Sequence, residues 1–352
     1  MPTVRWLVRH GRDYDVVCCV DYRGIGIAAL LARRLTRKPV VFQAQTTGVL
    51  SAENAETTLA RVGISPTARL GRMAKAAVTR LYAGADAFAC IARGIERETR
   101  EAGVADERIH FLPNPVDMTH FRPADEGERQ RLRNELSAQL AAQSGDARDG
   151  EPAIPNTRLV VAFAGRLSQE KGVAELLAAW NELAISGCVG DADGARPLLL
   201  VAGPDMPGHA WDLGPFSRAF VAEHGLGESI RFLGPLADVA RLYRAADVAV
   251  VPSHYEALGL SALEALACGL PVVASGVGGI LDFITDGVNG LLCPPRDAHA
   301  LADRLGAVLA DADLRAQLRS QARASVEGTY DEAVVLGRFA SLLSQLATPE
   351  QA

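Results

Sequence analysis

The chain has 352 residues and a formal net charge of −6, with 49% hydrophobic and 22% charged residues. This is the balance of an ordinary soluble protein with room for two domains, and the acidic excess argues against a nucleic-acid binder, which carries a basic domain. No apolar run reaches membrane-spanning length, and the opening MPTVRWLVRHGRDYD is too charged for a secretory leader. The six cysteines form no CxxC and the histidines are scattered, so buried reduced thiols in a cytoplasmic chain are expected and a zinc site is not.

Residues 1–15 surround Trp6, Leu7 and Val8 with Arg5, Arg9, His10 and Arg12, and fit either a helix or a short strand. The first clear strand is Val16 to Val20, closed by Asp21-Tyr22-Arg23-Gly24. A helix follows from about Gly26 to Leu35, with Ile27, Leu30, Leu31 and Leu35 apolar. Pro39 to Phe42 reads as the second strand. The polar loop from Gln43 to Gly48 then lies at a strand C-terminus, where ligands bind in parallel α/β sheets. A helix over 66–82, a strand from Ala85 to Ile91, a helix over 93–102 and a strand from His110 to Leu112 lead to the turn Asn114-Pro115-Val116-Asp117. Glu126 to about Gln143 is rich in helix formers, and Ser144 to Pro152 reads as a solvated linker.

The second half alternates in the same way. Strands are expected at Leu159–Phe163, Leu198–Ala202, Ile230–Leu233, Val248–Val251, Pro271–Ala274 and Gly290–Cys293. Helices fall between them, including a brief one from Ile280 to Ile284, and three more fill about 297–310, 312–326 and 331–346. Strands alternating with helices predict parallel sheets covered on both faces.

Three constellations bear chemistry. Gly165-Arg166 follows a strand and Lys171-Gly172 opens the next helix. Two cations meeting at a strand end beside a helix N-terminus call for an anion, and a diphosphate suits a bidentate arginine with a point-charge lysine. Glu256 lies in the loop between the strand Val248–Val251 and a helix starting near Gly259 or Leu260. Glu264 lies inside that helix, roughly 7 Å from its start. Its neighbours Leu258, Leu260, Leu263, Leu266 and Ala267 are apolar, so the carboxylate is expected to be buried and to need donors, which ribose hydroxyls supply. The glycines Gly276, Gly278 and Gly279 before a short helix permit close approach of an anion to the backbone, with Asp282 following. There is no GxGxxG after an opening strand and no GxxxxGK[ST].

With these residues in place the chain resembles the retaining GT-B glycosyltransferases of family 4. The matching pieces are NPVDMTHF (114–121), GRLSQEKG (165–172), FLGPL (232–236), YRAADVAVVPSHYEALGLSALEALACGLPVVAS (243–275) and GGILDFITDGVNGLLCPP (278–295). The resemblance implies an α/β fold of two Rossmann-like domains facing across a cleft, with an incomplete N-terminal domain. It divides the chain into a partial acceptor-side domain (1–122), a helix with flexible linker (123–156), a nucleotide-sugar domain (157–326) and a helix crossing back to the first domain (327–352). It implies transfer of a sugar from a UDP- or GDP-sugar to a small-molecule, lipid or polysaccharide hydroxyl, with retention of configuration and no bound metal. Arg166 and Lys171 correspond to the diphosphate clamp, Glu256 to the carboxylate at the donor sugar, and Glu264 to the ribose acceptor. Gly165 and the amides of Leu258, Gly259 and Leu260 would also face the donor.

Two departures stand out. Strand–helix units that precede the Val16–Val20 strand in the family are missing here. The loop after Phe42 carries Gln45-Thr46-Thr47-Gly48 where many members carry a histidine, and Asp282 stands where many have glutamate. These leave a truncated nucleotide-sugar-binding protein and a GT-B nucleotide-sugar epimerase as alternatives. The basic residues Arg5, Arg9, Arg12, Arg33, Arg34, Arg37 and Lys38 fit either a solvated face or peripheral contact with the inner face of a membrane.

Overall fold

The computed structural model describes residues 2–20, 24–48, 69–144, 154–187 and 196–347. Most of the sequence-predicted turn at 21–24, the start of the helix over 66–82, the linker around Gly145–Pro152 and most of the loop over 187–196 lie outside these residues. The chain folds as two compact units: one runs to Pro115 and takes up the chain again from Ala333, and the other is Val116–Glu332.

In the first unit α1 (Pro2–Arg9) precedes β1 (Val17–Val20), α2 (Ile25–Thr36), β2 (Val40–Ala44), α3 (Arg69–Tyr82), β3 (Ala87–Cys90), α4 (Arg93–Glu101) and β4 (Ile109–Phe111). Residues 2–9 therefore settle as a helix, with Leu7 turned inward and α1 packed along α2. The four strands are parallel and lie in the order β1-β2-β3-β4. Strand β2 is longer than its β-branched core suggests. Gln43 pairs with Val20 and Ala89, and Ala44 with Cys90, so the loop begins only at Gln45. One sheet face carries Phe42 and Phe88 edge-on, with Tyr82 of α3 against Phe42. The other carries Val41, Ala87 and Ala89, covered by Leu342 of the last helix.

The second unit contains α5 (Glu126–Ser144), β5 (Val160–Ala164), α6 (Val173–Ser186), β6 (Leu198–Ala202), α7 (Gly214–Glu223), β7 (Ile230–Gly234), α8 (Ala240–Ala245), β8 (Val248–Val251), α9 (Leu260–Ala267), β9 (Val272–Ser275), β10 (Gly290–Cys293), α10 (Ala298–Ala310) and α11 (Ala312–Ala322). The last helix of the chain, α12 (Glu332–Ala347), starts at the unit boundary and packs on the first sheet. Where a brief helix was expected at Ile280–Ile284 there is a 3-10 turn over Gly278–Asp282. Aspartates set two helix starts: Asp297 accepts from the Ala300 amide at 2.9 Å, and Asp311 from those of Asp313 and Leu314 at 2.9 and 3.0 Å. The six parallel strands take the order β10-β9-β8-β5-β6-β7. Read from β5, the chain builds outward to β7, returns, and builds the other way to β10. This is the doubly wound Rossmann order, with its reversal between β5 and β8. Its core joins Phe163, Trp180, Leu199, Val250 and Leu305.

Helix α5, grouped by sequence with a flexible linker, packs on α8 and β7. Leu132 and Leu136 are buried there, and beside them stands Arg133, which is fully buried. Its guanidinium donates to Asp247 Oδ2 at 2.7 Å and to the carbonyls of Ala245 (2.9 Å), Pro155 (2.7 Å) and Arg158 (3.0 Å). Asp247 also accepts from the Val160 amide at 2.8 Å, so this network anchors α5 to the start of β5 and to the turn entering β8. Arg133→Ala would strip Asp247 Oδ2 of its buried guanidinium, leave Arg129 on Oδ1 at 3.2 Å as its remaining ion-pair partner, and free three carbonyls. We expect a loss of about 3–5 kcal/mol in urea unfolding; a loss below about 1 kcal/mol would show that α5 is not anchored this way.

Candidate nucleotide-sugar site

The strand-order reversal leaves a crevice at the C-terminal ends of β5 and β8, and the loops that follow these two strands form the site. Their backbones touch. Gly172 has φ +68°, and a Cβ there would fall 1.9 Å from the Pro252 carbonyl oxygen. Gly278, with φ +50°, comes as close to the Glu256 carbonyl oxygen, at 1.8 Å. Only glycine fits either position. The glycines after β9 thus seat one loop against the loop bearing Glu256, a packing role the sequence reading gave to anion approach.

On this frame Lys171 Nζ donates to Glu256 Oε1 at 2.6 Å, and Ser253 Oγ donates to the same oxygen at 2.8 Å. Both carboxylate and ammonium are largely buried. Arg166 is half-exposed and pairs with Glu170, four residues further on. The two cations therefore do not stand uncompensated in the empty site, as the sequence reading assumed, because each is held by a carboxylate of the same loop pair. The loops are joined again at His254. Its amide donates to the Glu170 carbonyl at 2.9 Å, and its Nε2 lies 2.9 Å from Glu175 Oε1 on α6.

Glu264 stands deeper, on α9. With Gly165, Arg166, Gly203, Pro204, Pro235 and Leu236 it lines a cavity of about 270 Å³. Burial pushes its carboxyl up to about 7, against a smaller opposing pull from His120. His120 is itself 2.9 Å from Asp238. Behind it sit Cys268, which burial raises to about 12, and Tyr243, whose hydroxyl is buried without a hydrogen-bond partner among the described residues and is pushed well above its usual range. Leu258 is buried and Gly259 caps α9 at φ +95°. The first amides bonded within the helix are those of Ala262 and Leu263, so the amides of Leu260 and Ser261 lie at its open N-terminus.

The structure thus gathers Gly165, Arg166 and Glu264 around one cavity, with Lys171 and Glu256 paired beside it. Gln45, on the first unit, accepts from Asn114 Nδ2 at 3.0 Å, and Asp282 ends the 3-10 turn after β9. Ser253, His254, Glu170 and Tyr243 also stand at or behind this site, and nothing in their local sequence singles them out. Arg166 and Glu170 lie in a loop and a 3-10 turn, where no periodic spacing marks them as a pair. Tyr243 carries no signal either, since a tyrosine in an apolar run reads as core. Among the described residues no group of three or more His, Cys, Asp or Glu is arranged to hold a metal, and no helix is long and apolar enough to cross a membrane.

Two Rossmann-like units with parallel sheets, and a loop pair at the reversal of the second, define the GT-B fold. Solved structures agree: HepE of Anabaena in complex with UDP superposes with a TM-score of 0.77 at 22% identity, covering 98% of this chain and 82% of that one. Sucrose-phosphate synthase from Thermosynechococcus elongatus gives 0.68 at 23%, covering 97% and 77%. The chain belongs to the glycosyl transferases group 1 family, whose model matches residues 146–325, and a glycosyl transferase 4-like domain matches residues 2–115. It is 35% identical over 224 residues to the D-inositol 3-phosphate glycosyltransferase of Xylanimonas cellulosilytica, covering 62% of this chain and 47% of that protein. To the enzyme of the same name from Nocardia farcinica it is 37% identical over 227 residues, covering 63% and 45%. The chain spans about half the length of these relatives.

Glu264 gives a test that needs no substrate. Its carboxyl holds the proton more tightly folded, at about 7, than at the ordinary value of 4.5. Its stabilising protonated form is complete below pH 4.5 and is lost as pH rises through 7. Relative to Glu264→Gln, wild-type stability should fall by about 3 kcal/mol across that window in urea unfolding. A pH-independent difference would show that the carboxyl is not buried as described.

Proposed function

We propose that this chain is a retaining glycosyltransferase of family 4 that takes a nucleotide sugar in the second unit and passes the sugar to a hydroxylated acceptor. The observation that carries this is the pairing of Lys171 with Glu256, beside Arg166, at the strand-order reversal. An incoming diphosphate offers these cations a stronger partner than the loop carboxylates. Arg166 then turns its fork from Glu170 to phosphate oxygens, and Lys171 supplies a point charge. As the bond from sugar to diphosphate breaks, the leaving group gains negative charge, and a clamp fixed in place stabilises that charge more than it stabilises the intact donor. Glu256, held by Ser253, is left facing the donor sugar. Glu264, stabilised in its charged form by ribose hydroxyls, accepts from the ribose. The amides at the α9 N-terminus bind sugar or phosphate oxygens.

The donor base is uracil or guanine. UDP-glucose is the first sugar nucleotide to try, because HepE has been seen with it at similar fold. The first unit is assigned to a small-molecule, lipid or polysaccharide acceptor. A second reading, a nucleotide-sugar binder without transfer, draws support from the first unit. Its four strands run in simple sequence with no reversal among the described residues, and Gln45 stands at the β2 loop where a histidine was sought.

Calorimetric titration with UDP, GDP and ADP, with Glu264→Ala as control, distinguishes the bases. One nucleotide should bind and be lost in the control; no binding by the folded chain would remove the donor-site reading. In a transfer assay Arg166→Ala and Lys171→Ala should each lower kcat/KM by roughly 10²–10³-fold. Near-wild-type turnover in both would overturn the clamp, and nucleotide binding without sugar transfer would favour the binding-only reading.

A further inference from the structure

An unassigned cavity lies on the first unit. The C-terminal turns of α2 and α3 flank a cavity of about 670 Å³. Leu30, Leu31, Ala77 and Leu81 give it apolar walls, and Arg33, Arg34, Arg37 and Arg80 line it with charge. Arg33 has a structural task, with Nη1 on the Gly84 carbonyl at 3.0 Å and Nη2 on the Asp86 carboxylate. Lys38, grouped with it by sequence, is likewise taken up by Asp15 at 3.0 Å. The exposed side chains of Arg34, Arg37 and Arg80 make no hydrogen bond or ion pair among the described residues.

Helix C-termini attract cations, so part of this clustering is expected. Two C-termini offer about −0.5 charge each, about −1 together, against three unpaired guanidiniums. A surplus of about +2 remains, in a chain whose net charge is −6. Arg37 also caps α2 at φ +58°, a left-handed position that glycine usually fills. A guanidinium rim without carboxylates suits phosphate oxygens in bidentate geometry.

The apolar walls set the kind of phosphate. A small soluble anion gains nothing from Leu30, Leu31, Ala77 and Leu81, whereas an amphiphile does. The surroundings match. Leu35 on α2 is 69% exposed and Met73 on α3 is 68% exposed. Helix α1, packed on α2, shows Trp6 at 58% exposure between Arg5 and Arg9, which are also unpaired among the described residues. Exposed tryptophan with arginine is the pairing found where protein meets lipid headgroups.

We propose that the cavity between α2 and α3, rimmed by Arg34, Arg37 and Arg80, binds the phosphate headgroup of an anionic phospholipid and seats the first unit on a membrane surface. This site is independent of donor chemistry, so it is tested without nucleotide. The full chain should float with vesicles of phosphatidylcholine and phosphatidylglycerol in equal parts, and not with phosphatidylcholine alone. Added salt should weaken the binding. Each arginine should contribute roughly 5-fold, so Arg34→Ala/Arg37→Ala/Arg80→Ala together should weaken partitioning by about 100-fold. The charge-matched variant Arg218→Ala/Arg241→Ala/Arg304→Ala, on the second unit, should bind as wild type. Failure of the wild type to bind anionic vesicles would overturn the proposal. So would equal binding to neutral vesicles, an equal loss in the charge-matched variant, or displacement by soluble glycerol 3-phosphate, which would mark a site for free phosphate.

Discussion

The Lys171–Glu256 ion pair ties together loops that the chain brings from either side of the strand-order reversal, 85 residues apart. Both groups are largely desolvated, and each would be costly alone. Their pairing is possible because glycine at 172 lets one loop lie on the Pro252 carbonyl, and glycine at 278 lets a third loop press on the Glu256 carbonyl. Ser253 takes up the same carboxylate oxygen from behind. The result is a loop pair in which Lys171 and Arg166 each have a carboxylate partner, Glu256 and Glu170.

Glu264 shows the opposite arrangement. It is half-buried at the wall of the cavity, with burial raising its carboxyl to about 7, and is backed by Tyr243 and Cys268, neither of which ionises readily there. Folding places a carboxyl where it is poorly solvated, and desolvation favours its protonated form.

The two units use parallel sheets differently. In the second, doubling back at β5 opens a crevice, and the polar residues gather there. In the first, the described strands run in simple order, and the charge collects instead at the helix ends, where α2 and α3 finish side by side. Arg133 illustrates how far a unit reaches beyond its sheet. One buried guanidinium, bonded to Asp247 and three carbonyls, fixes α5 to the second unit beside the buried Leu132 and Leu136.

The sequence by itself determined the parallel α/β class, nearly every strand of both sheets, and the local spacing that sets Arg166, Lys171, Glu256 and Glu264 at strand ends and helix starts. Strands such as Val248–Val251 and Leu198–Ala202 are short apolar runs ended by proline or glycine, and such local signals survive without a fold. Arg166, Lys171, Glu256 and Glu264 were legible because their spacing to strand ends and helix starts is itself local. Tertiary structure decided what depends on partners distant in the chain. It lengthened β2 to Ala44, since ladder bonds to neighbouring strands hold Gln43 and Ala44. It held α5 on the second unit with Arg133, Leu132 and Leu136, and gave Arg166 and Lys171 a carboxylate each. It also separated the arginines: Arg33 and Lys38 found acidic partners, while Arg34 and Arg37 joined Arg80 from another helix. A charge in sequence carries no label for its partner, because pairing is settled by distances that only the packed chain sets.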